Sequence, residues 1–184
     1  MNGFVSRQDL EKLPRWARVA FAAKCAREAW LLSRNLFPSG TSQDFLQSID
    51  HAIRSVESSC AIGRTTEELS EITDVIDRIA RASAGTAQFR ASGAGPARVP
   101  EEDVFRYGLA HSAASAVHAA LEPVGALAFE AAAHGFQAAT AAHAGAQYAS
   151  ARQQDFNLLR ELAFERGWTD HDKVSLDLAS RAHD

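Results

Sequence analysis

Gly108–Ala151 reads GLAHSAASAVHAALEPVGALAFEAAAHGFQAATAAHAGAQYASA, and the fold turns on how this run is read. Alanine loses no side-chain entropy in a helix and is the best helix former. Pro123 interrupts the run once, and a proline inside a helical pattern ends the helix before it. The stretch therefore predicts two helices joined at Glu122–Pro123, the second running to about Ala151. Their Ala and Gly side chains are small enough for the two axes to approach closely. That places the pair at the middle of a helical bundle.

The rest of the chain fits this frame. Its 184 residues suit one domain spanning 1–184, and 46% of them are hydrophobic. Such a core is thin in aromatics and rich in Ala, and β-branched residues are sparse, which disfavours strands. The expected fold is all-α: a single-domain bundle of about six to eight helices around the Ala/Gly-rich pair. A net charge of −4 is too mild for a nucleic-acid binder, which carries a clustered basic surface. The opening MNGFVSRQDLEK lacks the apolar core of a secretory signal. The Ala-rich run is long enough to cross a bilayer, but it holds His118, Glu122, Glu130, His134 and Gln137, which are costly in lipid. A cytoplasmic protein with neither nucleic acid nor membrane as partner is expected. Cys25 and Cys60 stand far apart with no CxxC pair, and read as buried free thiols.

Toward the N-terminus, residues 6–12 suggest a short lead-in turn, and Pro14 suits the first position of a helix reaching about Arg34. Trp16, Val19, Ala20, Ala23, Ala26 and Trp30 recur at helical spacing. Phe21, Cys25 and Leu32 widen that stripe, so more than one side of this helix should be covered. After a loop with Pro38 and Gly40, Thr41 or Ser42 can cap a helix whose apolar face is Phe45, Ile49, Ala52, Ile53 and Val56. His51 falls off that face. Gly63 closes this helix, and Thr65 with Glu68 fits a capping box for the next. There Leu69, Ile72, Ile76 and Ile79 face inward, while Glu67, Glu71 and Asp74, then Arg78 and Arg81, line the outer face. The carboxylate row complements the helix dipole, and is also a candidate docking stripe for a basic partner.

Residues 83–100, SAGTAQFRASGAGPARVP, show no helical period and read as a flexible loop, with Phe89 its only large apolar side chain. Pro100 followed by Glu101, Glu102 and Asp103 is a strong helix start. Beyond the central run, Phe156, Leu159 and Ala163 form one stripe and Gly167 fits a helix C-cap. For 168–184 a short helix or tail is expected, with Thr169 or Asp170 as cap and Val174, Leu176 and Leu178 inside.

The histidines raise a metal site as a hypothesis. His111, Ser115, His118 and Glu122 fall at i, i+4, i+7 and i+11, on one helix face, and Glu130 and His134 are i, i+4 neighbours. Facing helices of a bundle can build a metal site from such groups. His111, His118, Glu122 and His134 are the candidate ligands. No HExxH or di-iron Glu-x-x-His pair supports them, nor does any nucleophile elbow, phosphate loop or dinucleotide fingerprint. The expectation is a protein without catalytic residues and without a cofactor.

Two segments carry a family resemblance. RWARVAFAAKCAREAWLLSRNLFP followed by DHAIRSVES resembles the opening of an all-α family of immunity proteins encoded beside polymorphic toxins in bacteria. That opening has a Trp-Ala start, a central Cys-Ala, a Leu-Phe end and an Ala-Ile-rich second helix. AAHGFQAATAAHAGAQYASA resembles the family's Ala/Gly/His helix ending in Tyr-Ala, with His134, His143 and Tyr148 matching by type. Together they cover about a third of the chain, and Gly63 to Pro100 shows no correspondence. The resemblance implies a non-enzymatic protein that binds and neutralises a cognate toxin. A helical scaffold that self-associates through its Ala/Gly face is the alternative.

Overall fold

The computed structural model describes residues 5–34, 36–37, 41–93, 101–122 and 124–176. Among them the chain forms α1 (Arg7–Glu11), α2 (Arg15–Ser33), α3 (Gln43–Ile62), α4 (Glu67–Gly93), α5 (Glu101–Leu121), α6 (Gly125–Ala141) and α7 (Gly145–Glu165), with no strand. This is the expected all-α bundle, with one hydrophobic core. Pro38, Gly40, Pro100, Pro123 and Leu178 lie outside the described residues, as does the Phe89 side chain.

Local chemistry explains several of the helix ends, although the Ser42 side chain makes no capping hydrogen bond to α3. The Ser6 hydroxyl accepts the Asp9 N–H at 3.2 Å and starts α1. Gly63 ends α3 in the left-handed region at φ 70°, and the Arg64 N–H then reaches back to the Ser59 carbonyl at 3.2 Å. Gly167 does the same for α7 at φ 60°, with the Trp168 N–H on the Ala163 carbonyl at 2.9 Å. The cap of α4 falls one residue later than the sequence suggests. Thr66, not Thr65, accepts the Leu69 N–H, at 3.2 Å, because Glu67 is the first helical residue.

Two longer stretches depart from expectation. α4 continues through Gly93, so 83–93 is helix and not loop. A helix nucleated by an amphipathic first half gains one hydrogen bond for each further residue fixed, and Ala-rich sequence lets it run on. The segment after Pro123, in contrast, is two helices. His143 adopts φ 58°, the Ala144 N–H turns back to the Ala139 carbonyl at 2.8 Å, and the chain reverses into α7.

The α5–α6 hairpin is as tight as its small residues require. A Cβ on Gly108 would meet the His134 carbonyl oxygen at 2.7 Å and the Ala138 nitrogen at 2.8 Å. The Ser112 hydroxyl donates to the Ala131 carbonyl at 2.7 Å. Numbers rise on α5 as they fall on α6, so the two run antiparallel. Yet α6 is not at the middle: Glu130, Gln137 and Thr140 face outward. The helix that shares the interior with α5 is α2, which packs on α3, α5, α6 and α7. Its buried residues Trp16, Ala17, Val19, Ala20, Phe21, Ala22, Ala23, Cys25, Ala26 and Ala29 go right round the helix, which marks it as a core element.

Residues 168–176 form an irregular strap instead of a last helix. The Asp172 carboxylate bonds the Thr169 N–H and hydroxyl at 2.6 and 2.8 Å, a local turn that competes with helix. Val174 is buried, and its N–H goes to the Cys60 carbonyl at the end of α3, at 3.0 Å. Asp170 does cap a helix, but it is α2: its carboxylate accepts the Arg15 N–H at 2.6 Å. A carboxylate at a helix N-terminus also meets the positive end of the dipole.

Candidate functional site

The four candidate metal ligands separate into three environments. His111 of α5 and His134 of α6 do meet. Their ring centroids are 5.1 Å apart, with Tyr107 4.3 Å from His111 and edge-on to His134 at 5.6 Å. His111 Nε2 is shut off from solvent and has no hydrogen-bond partner. Burial holds this histidine below its ordinary value and His134 adds to the effect, while the Ala80 carbonyl and the Asp77 carboxylate offset part of it. His134 Nδ1 lies 3.1 Å from Gln137 Oε1.

His118 turns to a different neighbour, with Nε2 2.9 Å from Asp77 Oδ1 of α4. Glu122 is exposed just past the end of α5. The one-face reading of α5 is right in angle but misleading in reach. Seven residues separate His111 from His118, about 10.5 Å of helix, too far for both to bind one ion at about 2 Å. Among the described residues no three His, Cys, Asp or Glu side chains are placed to share a metal.

A second polar group joins α2 to α7. Lys24 Nζ and Arg152 Nη2 both reach the Asp155 carboxylate, the latter at 2.8 Å, and all three side chains are at least four-fifths buried. Arg152 Nη1 also donates to the Lys24 carbonyl at 2.6 Å, which ties the ion group to the backbone of α2. One turn away on α7, the Tyr148 hydroxyl donates to the Cys25 carbonyl at 3.2 Å. Gly135 of α6 leaves the space for that hydroxyl, which a Cβ there would overlap. Burial raises the Cys25 thiol to about 12 and pushes the Tyr148 phenol well above its usual range, so both stay protonated at neutral pH. Tyr148 thus fastens α7 to α2 across the edge of α6.

The carboxylate row of α4 is where the spacing puts it. Glu67, Glu71 and Asp74 are exposed, and none is in an ion pair among the described residues. Glu68, one residue along, instead approaches His51 at 3.5 Å. Sequence reading missed Tyr107, Asp77 and the Lys24–Arg152–Asp155 group. Lys24 is one of four cations on α2, with Arg15, Arg18 and Arg27, and nothing local marks it out, because its partner lies 131 residues away.

No described helix is long and apolar enough to cross a membrane. Compared with known proteins, the chain matches no family model, no characterised protein and no solved structure.

Proposed function

We propose that this chain is a non-enzymatic helical binding module that acts as a bacterial immunity protein, neutralising a toxic protein partner in the cytoplasm without a cofactor. What supports the reading is where the polar groups lie. Several buried or part-buried polar groups join helix to helix: His118 to Asp77, Lys24 to Asp155, Arg152 to the Lys24 carbonyl, Tyr148 to the Cys25 carbonyl. The carboxylates of Glu67, Glu71 and Asp74 are left in water on a rigid helix, and this row carries the proposal. Such a row steers a basic partner and raises its rate of encounter. The resemblance of the opening helix and of 132–151 to immunity proteins supplies the biological class.

Self-association through the Ala/Gly face is the weaker reading. Gly108, Gly135, Ala131, Ala132, Ala138 and Ala139 are buried within one chain, which leaves that face no room for a second copy.

The test is co-expression with the product of the adjacent reading frame, using wild type and the Glu67→Lys, Glu71→Lys, Asp74→Lys triple variant. The proposal expects wild type to protect the cells and to co-purify with that product. The reversed variant should fold normally but bind at least about tenfold more weakly, the loss increasing at low salt. Full protection by the triple variant would move the interface off α4. No protection and no complex with wild type would end the immunity reading.

A further inference from the structure

The Tyr107–His111–His134 cluster sits where two helices come closest. Gly108, next to Tyr107, packs on the backbone of His134 itself. His134 thus supplies both the carbonyl that Gly108 abuts and the ring that faces His111. Two imidazoles at this separation repel if both are protonated, and buried His111 Nε2 has no hydrogen-bond acceptor among the described residues.

The groups around His111 come from three helices. α6 presents His134, α4 presents Asp77 and the Ala80 carbonyl, and α5 itself presents Tyr107. Among the described residues no charged group of α2 or α3 enters its surroundings. Asp77 is the countercharge, and its carboxylate is engaged by His118.

We propose that the Tyr107–His111–His134 cluster is an acid-sensitive latch on the α5–α6 seam, closed while both imidazoles are neutral and loosened when the pair takes up protons. The sign follows from linkage. His111 is held below its ordinary value in the folded chain, so the opened chain binds more protons. The latch is fully closed above about pH 6.5, the ordinary histidine value, and weakens as pH falls below it. Because α1 and α7 also pack on α6, loosening the seam frees their contacts as well.

Two measurements on the full chain test this. In an NMR titration of the histidine ring protons, His111 should titrate below about pH 6.5, and a His134→Phe variant should move its midpoint up. In hydrogen exchange, corrected for intrinsic rates, amides of α5 and α6 around Gly108–Ser112 and Ala131–Ala138 should open more readily at about pH 5.5 than at about pH 7.5. The gain is limited to about tenfold per pH unit for each proton taken up. His111→Phe should abolish that gain. Titration of wild-type His111 at or above about pH 6.5, or an undiminished gain in His111→Phe, would overturn the latch. Should His111→Phe fail to fold, the wild-type midpoint decides alone.

Discussion

At the scale of single residues, the most exacting position is Gly108. A methyl group there has no flexible side chain to push aside, because it meets the backbone of α6. Gly85 in α4 is the natural control, since a Cβ there meets nothing within 4 Å. Gly85→Ala should stabilise the protein by about 0.5–1 kcal/mol through helix propensity alone. Gly108→Ala should destabilise it by about 1–3 kcal/mol despite the same gain, because α5 and α6 must separate. Urea unfolding of the two variants checks the pair, and equal effects would mean the helices can part without cost. Sequence showed that glycines were dense here, but not which of them faced a neighbour. Gly135 makes the same point: its reason is the Tyr148 hydroxyl, supplied by another helix. Asp170 was readable as a cap, but not as a cap for Arg15, because that bond joins residues 155 apart.

At the scale of elements, apolar spacing predicted α2, α3, the first half of α4 and α5 well, because each has a stripe or an acidic first turn that local physics can read. The second half of α4 was read as loop because Gly and Ser weaken a helix locally, whereas a nucleated helix tolerates them. The break between α6 and α7 was invisible for the opposite reason. His143 takes a left-handed conformation that sequence usually assigns to Gly or Asn, inside a run of excellent helix formers. α7 is held to α2 by the Lys24–Arg152–Asp155 group together with the Tyr148 hydrogen bond. Asp155→Ala should cost about 3–5 kcal/mol, since it leaves two buried cations unmatched. Replacing all three by Met or Leu should cost much less, because no charge is then stranded. Thermal or urea unfolding separates the two, and a mild Asp155→Ala would show that water reaches the group.

At the scale of the whole molecule, the bundle has two interior helices, α2 and α5, with α3, α4, α6 and α7 packed around them. Half of that arrangement was legible: the Ala/Gly run announced a close helix pair, and Phe21, Cys25 and Leu32 announced a helix covered on more than one side. That α2 rather than α6 shares the interior with α5 depends on the packing of helices distant in sequence, which periodicity cannot report. The candidate site divides likewise. The exposure of Glu67, Glu71 and Asp74 followed from helical spacing, whereas the meeting of His111 with His134 needed the register of the antiparallel hairpin. Native-state hydrogen exchange tests this architecture most directly. The slowest amides, exchanging only through global unfolding, should lie in α2 between Val19 and Ala26, in α5 between Leu109 and Val117, and in the facing turns of α6 from Ala131 to Ala138. A slow core confined to α3 and α4, with the α5–α6 seam exchanging freely at neutral pH, would contradict the account.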